Sequence, residues 1–169
     1  MFAIPVSAPV VPEGLTIRAV SITGNHAVST AVLAAAMDLS PGQDVSYPQL
    51  QRALYALNTE YLSRGYAFCG VLSNRQLYYD RETQTLEVAV IEPRLHAVRW
   101  VGQPAGDPAE LVKRAGLQAG EVLHAAPIKR LMSLAVGAGT ISPPRPYIDA
   151  SGEQIDLEFD LPQIPQKKN

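Results

Sequence analysis

The sequence predicts an α+β protein built from two tandem β-α-α-β-β modules. Three observations carry that prediction. A hydrophobic pattern recurs in a constant register along the chain, its period switches between that of strands and that of helices, and turn and cap residues punctuate the switches. The register is plain at the start of each module: Ile17-x-x-Val20-x-Ile22-x-Gly24-Asn25 returns as Leu95-x-x-Val98-x-Trp100-x-Gly102-Gln103, 78 residues later. It continues through Leu33 over Leu111, Leu39 over Leu117, Gly42 over Gly120 and Leu50 over Ile128. Near the end the offset falls to 69, which lays Leu86-Glu87-Val88-Ala89-Val90 over Ile155-Asp156-Leu157-Glu158-Phe159 and implies 9 residues lost from the second copy. The expected organisation is an N-terminal segment (1–14), a first module (15–93), a shortened second module (94–162) and a tail (163–169).

The elements of the first module follow in order. Leu15 to Thr23 is β-rich, and Gly24-Asn25 supplies a turn where left-handed backbone is tolerated. Ser29 is placed to accept from the first free amides of a helix running to about Leu39, which Pro41-Gly42 stops. Ser46 caps a second helix, with Pro48 tolerated in its first turn. Leu50, Ala53, Leu54, Leu57 and Tyr61 form its apolar stripe, and Gly65 ends it before Tyr66 re-enters the apolar layer. Ala67 to Leu72 and Leu77 to Tyr79 read as strand, interrupted by Ser73-Asn74-Arg75-Gln76. Leu86, Val88 and Val90 alternate along a final strand that ends at Pro93.

The second module opens its first helix with Asp107-Pro108-Ala109-Glu110, where Asp at N-cap, Pro at N1 and Glu at N3 resemble a capping box. Its second helix, about Ile128 to Val136, stops at Gly137-Ala138-Gly139. Pro143, Pro144 and Pro146 follow. Ile155, Leu157 and Phe159 then alternate with Asp156, Glu158 and Asp160, a strand with one wet face. Only Pro93 and Arg94 separate the modules, too short a spacer for a free hinge.

Composition excludes several classes of function. The chain has 169 residues, 14 Lys and Arg against 16 Asp and Glu, and a net charge of −2, with neither module forming the basic patch that nucleic acid selects. The hydrophobic share of 47% is too high for disorder, and no run approaches the roughly 20 apolar residues of a membrane-spanning helix. Cys69, the single cysteine, excludes an internal disulfide and reads as a structural thiol in a strand. Met1 to Pro12 lacks the basic and unbroken apolar regions of a signal peptide, which fits a mature N-terminus with an added start Met or a cloning remnant.

No chemistry can be assembled. His26, His96 and His124 share no ligand spacing with one another or with a carboxylate, and Gly137-Ala138-Gly139 lacks the Lys and the context of a phosphate loop. Neither catalytic residues nor a cofactor or metal is expected. Trp100 occupies the position of Ile22, which favours a packing role over an exposed anchor for a partner. In Tyr78-Tyr79, alternation sends one ring inward and the other outward.

The strand ending Ile22-Thr23-Gly24-Asn25, the Leu39-Ser40-Pro41-Gly42 break, the helix end Glu60-Tyr61-Leu62-Ser63-Arg64-Gly65-Tyr66 and the closing Val88-Ala89-Val90-Ile91-Glu92-Pro93 together resemble a POTRA (polypeptide-transport-associated) domain. The resemblance covers residues 15 to about 162 and is looser in the second module, which has no Gly-Tyr pair after its second helix. It implies, in each module, a three-stranded mixed sheet covered on one face by two helices, with the second strand at an edge and the last strand central. It also implies a non-enzymatic, periplasmic role in outer-membrane protein assembly or two-partner secretion. The implied partners are unfolded or extended outer-membrane or secreted polypeptides, accessory assembly proteins and a membrane β-barrel that this chain does not include. A scaffold pair that contributes only geometry and docking is the alternative.

Strand addition to an unpaired edge is the physical route to such binding. The expected peptide-binding edge is Ala67, Phe68, Cys69, Gly70, Val71 and Leu72, while Pro143, Pro144 and Pro146, each lacking an amide donor, blunt the corresponding edge of the second module. Gly24, Asn25, Gly65, Tyr66 and Gly102 are the structural motif positions.

Overall fold

A computed structural model describes residues 14–136 and 142–161. Residues 1–13, the Gly137-Ala138-Gly139 stop and the tail 163–169 lie outside them. Leu15–Thr23 is not one strand but two, split at Arg18. β1 (Leu15–Ile17) pairs antiparallel with a short β3 (Gln43–Val45), and β2 (Ala19–Thr23) pairs in parallel with β5 (Thr85–Ala89). Between them lie α1 (Thr30–Met37) and α2 (Tyr47–Ser63), and a 3₁₀ turn at Asn74–Gln76 leads into β4 (Leu77–Asp80), antiparallel to β5. The strand order β2-β5-β4 makes a mixed sheet with the last strand in the centre.

Local chemistry sets these boundaries. Gly24 has φ +81°, and a Cβ there would stand 2.1 Å from the Val90 carbonyl oxygen, so only glycine lets β2 turn beside β5. Asn25 Nδ2 donates to the Val28 carbonyl at 2.8 Å and to Thr30 Oγ1 at 3.1 Å, which fixes the entry to α1. Ser29 sits at the N-cap of α1, but its hydroxyl makes no capping bond. In α2, Gln49 Oε1 accepts from the Ser46 amide at 2.8 Å, the return arm of a capping box. Its far end closes with the Gly65 amide on Leu62 O (2.9 Å) and the Tyr66 amide on Tyr61 O (3.0 Å), a Schellman stop around the left-handed Gly65.

The second module repeats the plan with β6 (Arg94–Val101), α3 (Pro108–Ala115), α4 (Ala125–Val136), β7 (Arg145–Ile148) and β8 (Gln154–Asp160), in the order β6-β8-β7. Asp107 caps α3 by accepting from the Glu110 amide at 2.9 Å. α4 begins at Ala125, three residues before the expected start. The sheet register corrects the sequence alignment of the last strands. Ala19 faces Thr85 and Ala97 faces Asp156, so Leu86 corresponds to Leu157 and the true offset is 71, not 69. Parity is preserved, and Leu86 and Val88 in one core match Leu157 and Phe159 in the other, all at most 2% exposed. Each such side chain contributes roughly 1.5–3 kcal/mol by leaving water.

One expectation for β8 fails at a single residue. Asp156 lies on the outward face of its sheet yet is 9% exposed, because His96 and Arg99 of β6 cover it. Among the described residues, no helix is long and apolar enough to cross a membrane.

Candidate functional site

The expected edge, Ala67 to Leu72, is not a strand. Phe68 and Gly70 take positive φ (64° and 118°), which breaks any extended run. The loop's backbone is also largely occupied. Asn58 on α2 grips Val71 with its amide, accepting from Val71 N at 2.8 Å and donating to Val71 O at 2.9 Å. Gln76 accepts from the Leu72 and Ser73 amides (2.8 and 2.9 Å) and donates to the Gly70 and Ala89 carbonyls (3.0 and 2.8 Å). Gly70 and Ile91 exchange both backbone bonds (3.0 and 3.1 Å), and a Cβ on Gly70 would collide with Asn58 Oδ1 at 2.2 Å. Cys69 is buried in this loop, and burial pushes its thiol up to about 12. Little unpaired backbone is left there for a visiting strand.

The edges of the first sheet are β2 and β4, and β4 is the one that follows this loop. Val90 donates to Thr23 across the parallel pair, so Val90, Val88 and Leu86 direct their backbone groups to β2, and Glu87 and Thr85 direct theirs to β4. Tyr78 and Asp80 therefore answer β5, while Leu77 and Tyr79 point their backbone groups away from the sheet. Leu77 N is taken by Asn74 O in the 3₁₀ turn, which leaves the Tyr79 amide midway along the edge. The Tyr78 ring stands out on the open face at 63% exposure, and Tyr79 turns inward, its hydroxyl donating to Thr16 O at 2.6 Å.

The corresponding strand of the second module is β7. Asp149 N donates to Gln154 O, which by the same parity sends the backbone of Pro146 and Ile148 outward. Pro146 faces Leu157 as Tyr79 faces Leu86, and it has no amide to offer. The open faces differ as well. Arg145 pairs with Asp160 (2.7 Å) and Glu158 (3.5 Å), and Asp156 accepts from Arg99 and meets His96 Nδ1 at 2.9 Å. The open face of the first sheet carries Ala19, Ser21, Thr23, Glu87 and Ala89 around Tyr78.

The two modules are joined by more than a linker. Ala67 N donates to Leu123 O and Ala125 N to Gly65 O, both at 2.9 Å, an antiparallel bridge centred on Tyr66 and His124. Their rings lie 4.4 Å apart, and Tyr61 meets Tyr66 edge-on at 6.0 Å. Behind Tyr61 is Glu92, whose carboxylate accepts from the Tyr61 hydroxyl (2.7 Å) and from the His26 and Ala27 amides (3.0 and 2.9 Å). Burial, together with this carboxylate, drives the Tyr61 hydroxyl far above its ordinary pKa. Arg94 Nη1 donates to Gly120 O at 2.9 Å on the other side of the joint.

Of the motif positions, Gly24, Gly65 and Gly102 are left-handed turns, Asn25 fixes the start of α1, and Tyr66 is the centre of the joint. The bonding roles of Glu92, Asn58 and Gln76 escaped the sequence reading. Only Asn58 left a trace, as a polar residue one turn beyond Leu54 inside the apolar stripe of α2.

Residues 15–92 match the POTRA family model, described as a surface antigen variable number repeat. The first module is a POTRA domain. Solved structures with the same fold extend the match through the second module. CdiB from Escherichia coli is 22% identical with a TM-score of 0.63, covering 96% of this chain and 30% of that one. POTRA1-3 of the periplasmic domain of Omp85 from Anabaena is 13% identical with a TM-score of 0.56, covering 90% and 67%. The N-terminal domain of Omp85 from Thermosynechococcus elongatus is 15% identical with a TM-score of 0.54, covering 88% and 67%. The chain thus spans under a third of the CdiB it resembles. A search of curated protein sequences finds no match.

Proposed function

We propose that this chain is the periplasmic docking portion of an outer-membrane assembly or secretion machine, and that its first POTRA domain takes extended client polypeptide by strand addition along β4. The observation that carries the reading is the outward Tyr79 amide in the middle of a sheet edge, set against Pro146 at the same register in β7. The first POTRA domain and the fold shared with CdiB and the periplasmic domain of Omp85 support the machine and the compartment. Accessory assembly proteins are the folded partners, and a C-terminal membrane β-barrel is the attachment, in keeping with the share of CdiB that this chain spans.

The test is a titration of the ¹⁵N-labelled chain with extended peptides of alternating apolar residues. Shifts at Tyr79 and its β5 neighbours support the reading, and shifts confined to residues 141–148 would overturn the order of the two edges. A second reading, a scaffold pair without client binding, is favoured by the backbone bridge at the joint. It predicts a silent spectrum with peptides and a response only to a folded partner.

A further inference from the structure

The helical layers of the two modules differ in charge and in what they leave exposed. The 8 residues of α1 carry no charge, and the 17 of α2 carry Arg52 and Glu60 alone. In the second module α3 and α4, of 8 and 12 residues, carry Glu110, Lys113, Arg114, Lys129 and Arg130. Large apolar side chains follow the opposite trend. Among the described residues α3 and α4 expose none, whereas α2 holds Tyr47, Tyr55 and Leu62 in solvent at 53%, 75% and 65%. Successive residues turn about 100° around a helix, so these three fall within roughly 80° of one another. They lie away from the stripe of Ala53, Leu57 and Tyr61 that enters the core. Leu72, exposed on the loop that Asn58 holds against α2, extends the patch on one side. On the other, beyond Arg52 and Ala56, α1 turns the small Ala31, Ala34 and Ala35 outward.

The polar groups of this face are largely satisfied within the helix. Gln51 Nε2 donates to the Tyr47 hydroxyl at 2.6 Å, Thr59 Oγ1 to Tyr55 O at 2.8 Å and Ser63 Oγ to Glu60 O at 2.9 Å. Glu60, one of the two charges, pairs with Arg64 at 2.8 Å. Covering the face therefore costs little desolvation beyond the two tyrosine hydroxyls. Exposed tyrosines on a surface depleted of charge are the composition of an interface core.

The spacing fits one occupant. Along the helix axis Tyr47 lies about 12 Å before Tyr55 and Leu62 about 10 Å after it, while Gln51 and Thr59 stand about 6 Å to either side. The face is close to a palindrome about Tyr55, so it complements its own copy run antiparallel. We infer that α2 is the seam of a two-fold dimer of this chain, with Tyr55 meeting its own copy near the axis and Tyr47 covering Leu62 of the second copy. A neutral stripe suits self-pairing, because a copy brings the same charge to the same place. Arg52, rotated about 60° from Tyr55, falls at the rim. Two tyrosines and two leucines expose on the order of 500 Å² per copy, about 1,000 Å² in all, the lower bound of a specific interface. Such an area fits a weak and reversible dimer. The proposal does not depend on the reading of β4.

Sedimentation velocity of the whole chain from about 1 μM to 1 mM is the test. The expected result is a concentration-dependent rise from 18.2 kDa toward twice that mass, with amide shifts at Tyr55 and Leu62 on dilution. Tyr55→Glu sets two like charges across the axis and should weaken association by about tenfold or more, and Tyr55→Lys should do the same. Both change an exposed ring outside the core, and circular dichroism checks that they remain folded. An equimolar mixture of the two variants should re-pair, since opposite charges then meet. A wild type that stays monomeric at about 1 mM would overturn the dimer and leave the face to a different, folded partner. A dimer that survives intact in Tyr55→Glu, or a mixture that associates no better than either variant alone, would overturn it equally.

Discussion

The two modules share a topology and differ where it meets solvent. Both cores place a parallel pair and an antiparallel pair around one central strand, and both turn on a left-handed glycine after the first sheet strand. The outer edges and open faces have diverged. The first sheet shows mostly small residues around Tyr78, with Glu87 unpaired among the described residues and an amide at Tyr79, and the second shows an ion-pair lattice and Pro146. Edge strands invite pairing, and prolines and charges are the usual means of refusing it. A repeated fold can therefore hold its core constant while each copy sets what its edges accept.

The sharpest difference within the cores lies at the equivalent glycines. A Cβ at Gly24 would strike the Val90 carbonyl oxygen at 2.1 Å, and one at Gly102 would meet Leu161 O at 3.1 Å. Gly24→Ala combines left-handed strain with a backbone collision and should cost on the order of 4 kcal/mol. Gly102→Ala keeps mostly the strain, about 1–2 kcal/mol. Urea unfolding of both variants checks the ranking, and equal losses would break the comparison.

Next in size is the Glu92 knot of the first module. Tyr61→Phe removes a buried hydroxyl–carboxylate bond and should lower stability by about 1.5–3 kcal/mol, read in the same unfolding assay. Cys69, in the same module, adds a pH signature. Its folded pKa is raised, so its contribution is fully present below the ordinary thiol range and is lost as pH rises toward about 12. Native protein should resist iodoacetamide at pH 8 until it is unfolded, and fast native labelling would contradict the burial.

The joint gives a smaller effect. Ala125 is the first residue of α4, where proline is tolerated, so Ala125→Pro should leave both modules folded while removing the bond to Gly65 O, at about 0.5–1.5 kcal/mol. Residual dipolar couplings should then show a broader spread of intermodule orientations. The smallest effect is at the β7–β8 turn, where Asp149 accepts from Ser151 and from the Glu153 and Gln154 amides, which hold its carboxyl below the usual range. Its turn contribution should persist through mild acid and fade only as pH falls through that lowered value, followed by carboxyl ¹³C shifts.

The sequence disclosed much of this. Order, both left-handed glycines after the first strands, the α2 stripe and the Asp107 cap were legible because period and cap chemistry are local. The strand reading of Ala67–Leu72 failed because composition cannot show positive φ at Phe68, nor that Asn58 and Gln76 substitute for a neighbouring strand. The 69-residue offset failed because a two-residue slip preserves alternation. The joint was invisible because it rests on backbone bonds between segments nearly 60 residues apart.

The central claim is that the amide at one edge position decides which module accepts a strand. Its most direct test is a peptide titration of the ¹⁵N-labelled wild type and of Pro146→Val, which restores an outward amide to β7. The account predicts that the wild type shifts at Tyr79 and not along β7, and that Pro146→Val responds at both edges. A wild type that responds along β7, or a Pro146→Val variant whose β7 remains silent, would contradict it.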